Sequence, residues 1–167
     1  ISTWLYNYDG NTITSIYITT EDTEGDLKFS YDPEGKLSSY VFDRIDVEDE
    51  EIQVVYNKDT DLYDFGGIAE MSQNDIGDLD YLNGGLFDYD STKKGPFKNS
   101  PPDYHLLNSL ADGVFLLLGS KGSLNAINNE DVDLFTCSNT YNDQGYITKA
   151  DITGQQAFTV VYDYDLF

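Results

Sequence analysis

Apolar and polar residues alternate along much of the chain, and turn residues break the alternation at short intervals. Leu27, Phe29 and Tyr31 alternate with Lys28 and Ser30, and beyond Asp32–Gly35 a second run sets Leu37, Ser39 and Val41 against Ser38, Tyr40 and Phe42. A period of two on both sides of a turn predicts a β-hairpin. Within the turn, Asp32 bonds forward to the backbone, Pro33 presets φ at its second position, and Gly35 supplies the φ > 0 residue that closes it. The unit recurs. Trp4 to Tyr8, then Asp9-Gly10-Asn11, then Thr12 to Thr19 make the first hairpin, with Trp4, Tyr6 and Tyr8 on one face. The Asp32 hairpin ends near Ile45, and the acidic loops Glu21 to Asp26 and Asp46 to Glu51 link successive hairpins. Glu51 to Tyr56 is a further strand, with Ile52, Val54 and Tyr56 on one side.

From Asn57 to Gly85 the pattern weakens to short apolar pieces, Leu62-Tyr63 and Phe65, which predicts strand fragments joined by ordered loops. Leu86 to Tyr89 reads as a strand and Asp90 to Asn99 as a turn-rich segment carrying Lys93, Lys94 and Lys98. At Ser100-Pro101-Pro102-Asp103 the period changes. Ser is a good N-cap, Pro suits the first helical turn, and an acid three residues after the cap completes a capping box. Tyr104, Leu107, Leu110 or Ala111 and Val114 then recur at helical spacing, which predicts one helix from about Pro101 to Asp112, ended by Gly113. Phe115 to Leu118 fits either a buried strand or a continuation of the helix. The last third returns to β: Val132 to Ser138, the turn Asn142-Asp143-Gln144-Gly145, Tyr146 to Ile152, and Ala157 to Tyr164.

The expected fold is therefore mainly β, about eight to ten strands and one helix near 101–112. Sequential hairpins should form an antiparallel meander, barrel-like or strongly curved, as a single domain over residues 1–167. An eight-stranded outer-membrane barrel also fits the length. It needs strands of about nine to eleven residues with one continuously apolar face. Most runs here are shorter and bracketed by acids, and the face of the terminal Phe167 carries Asp163 and Asp165. The longest apolar run, Val114 to Leu118, is far too short for a membrane helix.

Charge narrows the partners. Thirty-one acidic residues against nine basic ones give a net charge of −22, a field that repels phosphate backbones and anionic lipid and so argues against nucleic acid and charge-driven membrane binding. Asp supplies most of the acid; where it falls beside Gly, Asn or Pro it marks turns, and the whole makes a solvated surface that keeps sheet edges apart. Cys137 is the only cysteine, so it forms no internal disulfide; in so acidic a chain a core thiol is expected rather than a nucleophile. The chain starts at Ile1 with its only Met at Met71, which leads to the expectation that a signal or anchor segment has been removed.

No catalytic, metal or cofactor signature stands out. His105 is the only histidine, which excludes a His-Cys metal cluster and forces any Ser-His-Asp triad onto this one residue, with no nucleophile elbow beside it. Asn57, Asp59, Asp61 and Asp64 gather hard oxygen ligands, but the EF-hand spacing fails: counting from Asp59, Asp64 stands where Gly is needed, and Tyr63 where a ligand is. Asp75, Asp78 and Asp80 are a weaker group. Thirty-one acids always allow a glycosidase-like pair to be nominated, so their number is no evidence for one. Gly66-Gly67 and Gly84-Gly85 read as turns rather than phosphate loops. The fourteen Tyr could present flat amphipathic faces to sugars or peptides, although Tyr is also an ordinary strand residue.

Several patches carry a family resemblance: Tyr6 to Asn11, Phe29-Ser30-Tyr31-Asp32 with Gly35-Lys36-Leu37, Phe87-Asp88-Tyr89-Asp90 running into Lys93-Lys94-Gly95-Pro96-Phe97, and Gly145-Tyr146-Ile147-Thr148-Lys149. Together they resemble an exported Bacteroidetes family of envelope proteins, usually predicted lipoproteins, classed as a domain of unknown function with a porin-like β fold and hairpins similar to YD repeats. The sequence departs from that pattern at Gly95, where the family has Asn, at Ile147, where it has Pro, and at Tyr141-Asn142-Asp143, a broken Tyr-x-Tyr-Asp. The resemblance implies export to the cell envelope, periplasmic or on the surface, anchoring through a lipidated cysteine upstream, and a meander that need not insert in a membrane. It offers no catalytic residues. The function expected is thus a non-enzymatic envelope binding or scaffold domain, its extracellular or periplasmic ligand a glycan, peptide or protein. Two alternatives are a carrier of a small apolar ligand in a barrel cavity and a carboxylate-dependent glycoside hydrolase.

Overall fold

The computed structural model describes residues 3–20, 24–44, 49–101, 103–111, 113, 115–129, 132–154 and 157–164. Strands β1 (Thr3–Asp9), β2 (Thr12–Thr19), β3 (Glu24–Tyr31), β4 (Leu37–Arg44), β5 (Glu51–Asn57), β6 (Leu62–Phe65), β7 (Glu70–Gln73), β8 (Leu79–Leu82) and β9 (Gly85–Lys94) precede two short helices, α1 (Tyr104–Ala111) and α2 (Phe115–Leu118). Strands β10 (Gly122–Asn129), β11 (Val132–Tyr141), β12 (Ile147–Gly154) and β13 (Phe158–Val161) follow. Strand order equals chain order, running from β1 to β13. The fold is the antiparallel hairpin meander that the alternation predicts. Among the described residues no helix is long and apolar enough to cross a membrane.

The chain divides into two compact units, Ile1–Ser72 and Gln73–Phe167. In the first, Ile13, Ile16, Ile18, Leu27, Phe29, Leu37, Val54, Tyr63, Phe65 and Met71 are buried. The step from Ile13 to Ile16 breaks the period of two because the β1–β2 register slips: Tyr8 faces Ile13 and Asn7 faces Ser15, leaving Thr14 as a bulged extra residue. Without the bulge, Ile13 would face the wrong side of the sheet. In the second unit Leu79, Phe87, Tyr104, Leu106, Leu107, Leu124 and Ile127 are buried. Ile147, Ala150 and Ile152 form a cluster there, joined by Leu117, Leu118, Phe135, Cys137, Tyr141, Phe158, Val160 and Tyr162.

One five-residue loop closes three of the hairpins. In Asp32–Lys36 the Asp32 carboxylate accepts the N–H groups of Glu34 and Lys36, Asp32 N donates to Lys36 O, and Gly35 N donates to Asp32 O at φ +80°. Asn74–Asp78 and Asn142–Tyr146 repeat every bond, with an Asn side-chain oxygen as acceptor and Gly77 and Gly145 at positive φ. The motif is Asp or Asn, two residues, Gly, then one residue that rejoins the strand. That last residue is Lys36, Asp78 or Tyr146.

The structure moves several predicted boundaries. Helix α1 starts later than the Ser100 cap predicts, because Ser100 Oγ donates to Phe97 O at 2.7 Å and closes the preceding turn instead. Asp103 takes the cap position, its carbonyl accepting Leu107 N. Phe115–Leu118 is a separate helix after Gly113, so there are two helices where one was predicted. Strand β9 runs on to Lys94 through residues read as a turn-rich segment, and β10 was not predicted at all. Its sequence GSLNAINN lacks alternation because its pairing with β9 carries two register shifts, and its polar members find local partners: Asn125 Nδ2 donates to Asp88 at 3.2 Å and Ser123 Oγ meets Tyr141 OH at 2.8 Å. Predictions that fall on Glu21–Thr23, Ile45–Glu48, Pro102, Asp112, Val114 and Phe167 lie outside the described residues.

Candidate functional site

The Asn142–Tyr146 loop is the starting point, since it is pinned as well as closed. Lys94 N donates to Gly145 O at 2.9 Å, and the Lys94 ammonium lies 4.4 Å from the Tyr146 ring centroid. Its neighbour Lys93 lies 5.1 Å from the Tyr141 ring. The end of β9 thus holds the β11–β12 loop through both backbone and side chain. On its other side Tyr146 meets Tyr164, ring centroids 5.6 Å apart and tilted by 56°. Tyr164 OH donates to Ile147 O at 2.6 Å, and Tyr162 N donates to Thr148 O at 3.0 Å, so residues 162–164 are laid along β12.

The opposite wall follows β9. Gly95 N donates to Lys121 O at 2.7 Å and Phe97 N to Ser120 O at 3.2 Å, and the Phe97 ring stacks on Tyr104 at 4.8 Å. A Cβ on Gly95 would stand 2.2 Å from Gly122 O and 2.4 Å from Ser120 O. The Asn usual in the resembling family has no room here. Residues 121–122 are held in turn by Asp78, whose Oδ1 accepts Lys121 N at 2.6 Å and whose Oδ2 accepts Gly122 N at 2.7 Å. Asp78 is fully buried, 0 % exposed, although it occupies the loop position filled elsewhere by Lys36 and Tyr146. Burial is tolerated because each carboxylate oxygen meets a backbone donor.

His105 completes this cluster. Its Nδ1 accepts Leu79 N at 3.1 Å and lies 3.5 Å from Asp78 Oδ1; the acceptor role of Nδ1 places the proton of a neutral ring on Nε2. Phe87 meets the imidazole edge-on, centroids 6.4 Å apart. Lys121 Nζ donates to Ile76 O at 2.9 Å, and burial holds its ammonium below the usual lysine range. Tyr89 OH donates to Leu79 O, and burial, with Asp78 and Asp80 nearby, pushes its phenol well up. His105 and Asp78 are both sealed from solvent, which suits positioning the walls rather than meeting a substrate.

Between the two walls lies an open groove of about 930 Å³, within the size range of ligand sites. Phe97, Tyr146, Tyr162 and Tyr164 give it an aromatic floor. Burial raises the Tyr164 phenol to about 12, helped by Tyr146, and burial with Tyr164 and Cys137 nearby raises Tyr162 further. Both phenols stay neutral at physiological pH. The rim carries Lys98, Asn99, Asp143, Gln144 and Asp163, all exposed, and none of these side chains bonds another described residue.

The residues singled out in the sequence fall elsewhere. Asn57, Asp59, Asp61 and Asp64 lie around the β5–β6 turn, where three of the four side chains serve the backbone or Tyr56. Asn57 Oδ1 accepts Asp59 N, Asp64 Oδ1 accepts Gly67 N, and Asp61 accepts the Tyr56 hydroxyl. Among the described residues no three His, Cys, Asp or Glu side chains are grouped so as to hold a metal. Cys137 is half-buried against the Ile147–Ile152 cluster, and burial lifts its thiol to about 11, far from a reactive thiolate. Sequence reasoning missed the groove residues as a group. The Asn142 turn, Lys93–Phe97 and the strand ending at Tyr164 were each visible, but only the bridge between Lys94 and Tyr146 and the bonding of residues 162–164 along β12 bring them together.

No family model matches the sequence, and a search of curated proteins gives no match. A solved structure, a porin-like protein from Bacteroides uniformis, is similar to this chain at a TM-score of 0.40 and 11% identity, over 95% of this chain and 68% of that one. A likeness that distant carries no argument about what this chain does.

Proposed function

We propose that the chain is a non-enzymatic binding domain of the bacterial cell envelope, exported and lipid-anchored as its resemblance implies, with the β9–β12 groove as its ligand site. The observation that carries this reading is the set of five exposed rim side chains, uncommitted to any described residue, around an aromatic floor. Their neighbours, by contrast, are spent on holding the walls. Two of the five, Asp143 and Asp163, are carboxylates on different segments of one groove, the arrangement a hydrolase would need. Both are solvent-exposed, whereas a general acid working near neutral pH is set in apolar surroundings. The carrier alternative asks for an enclosed apolar cavity. A small, partly open space lined by Leu117, Leu124, Cys137 and Ile147 offers about 10 Å³, room for about one water.

The test pairs a ligand screen with rim variants. Calorimetric titration against soluble oligosaccharides and short peptides should find a ligand for the wild-type chain. Gln144→Ala combined with Asp163→Ala should weaken that ligand roughly tenfold or more while leaving the melting point within a degree or two, as expected for exposed side chains without partners among the described residues. Binding at undiminished affinity in the double variant would remove the groove from the account.

A further inference from the structure

Resting on the groove as the ligand site, we infer that its ligand is an uncharged oligosaccharide, recognised by side chains alone. Much of the backbone of the walls is already spent. Gln144 N and Tyr146 N donate to Asn142 Oδ1, Gly145 N to Asn142 O, Phe97 N to Ser120 O and Tyr162 N to Thr148 O, while Gly145 O accepts from Lys94. A peptide recognised by strand addition needs a continuous run of unpaired backbone groups in its site, and the Asn142–Tyr146 loop keeps its own for itself and Lys94.

What remains is side-chain chemistry of mixed sign and reach. Asp143 and Asp163 accept, Lys98 donates, and the amides of Asn99 and Gln144 do both. Vicinal hydroxyls of a sugar ring pair with such a set, since each hydroxyl donates once and accepts twice. The axial C–H face of a pyranose meets the floor of neutral aromatic rings. Charge points the same way. Two carboxylates against one ammonium, on a chain of net charge −22, repel sulfated or uronic-acid glycans. A cationic ligand would also be drawn to these carboxylates and rings, and the salt dependence of its binding separates it from a neutral sugar.

The experiment titrates the full chain with three probes at low and high salt: a neutral hexasaccharide panel (gluco-, xylo-, manno- and N-acetylglucosamine oligomers), a lysine-rich hexapeptide and a sulfated hexasaccharide. A neutral hexasaccharide should bind with an affinity that changes less than about twofold across the salt range, because no ion pair is screened. Asp143→Asn with Asp163→Asn should keep that affinity within about threefold, since the amides still accept and donate, whereas Gln144→Ala with Asp163→Ala should lose about tenfold or more. Peptide binding that falls steeply with salt and with the Asn pair would overturn the sugar assignment and leave the groove as a site. Capture of the sulfated probe in the groove overturns it equally. If none of the three probes responds to the groove variants, both readings fall together.

Discussion

Asp78→Ala is expected to lower the unfolding midpoint of the chain by roughly 6–20 °C. The carboxylate accepts Lys121 N and Gly122 N at 2.6 and 2.7 Å in a site with no solvent. Truncation removes two charge-assisted bonds, each of about 1.5–3 kcal/mol, and leaves both N–H groups buried without an acceptor. A loss of roughly 3–5 kcal/mol in a chain this size moves the midpoint by about 2–4 °C per kcal/mol. Asp78→Asn should be nearly as damaging, because one side-chain oxygen replaces two and the amide nitrogen faces a donor. Asp80, two residues on and exposed, supplies the control: its alanine variant should stay within about 0.5 kcal/mol of wild type. Thermal unfolding of the three variants decides the matter, and an Asp78→Ala midpoint equal to that of Asp80→Ala would contradict the role given to Asp78.

The second large effect belongs to Gly95. An added Cβ meets Gly122 O at 2.2 Å and Ser120 O at 2.4 Å, and both atoms are backbone, so no side chain can swing aside. Gly95→Ala must push β9 and residues 120–122 apart, stretching the 2.7 Å bond from Gly95 N to Lys121 O. Overpacking of this kind costs about 1–3 kcal/mol before the hydrogen bond is counted. Because Pro96 and Phe97 follow directly and line the groove, ligand affinity should fall with stability, although Gly95 itself does not line it. Gly113→Ala, where a Cβ meets nothing within 4 Å, should leave both unchanged. Equal melting points for the two alanine variants would show that the close approach at Gly95 is not a constraint.

The meander was legible because hairpin chemistry is local. Asp32, Pro33 and Gly35 announce their turn within four residues, and Asn142 to Gly145 repeats it. The third copy, Asn74–Asp78, escaped notice because the strands it joins have only four residues each, too few to show a period. β10 was illegible for a related reason: its register shifts and Ser and Asn side chains erase the alternation that marks a strand. The capping signal at Ser100 was real chemistry put to another use, since the hydroxyl found Phe97 O first. Asp78 shows the limit most clearly. In sequence it was one acid among thirty-one, and only its reach to Lys121 and Gly122, more than forty residues on, separates it from the solvated remainder. The groove likewise depends on three separate segments, made adjacent by the bridge between Lys94 and Tyr146 and by the bonding of residues 162–164 along β12.

The most direct test of the groove as a ligand site is a backbone amide NMR titration of the labelled chain with the neutral hexasaccharide panel. Shift changes should concentrate at Lys98, Asn99, Gln144, Tyr146 and Asp163, with Gly10, Val55 and Ile68 of the first unit unmoved. Shifts confined to the first unit, or none at saturating sugar and peptide alike, would contradict it.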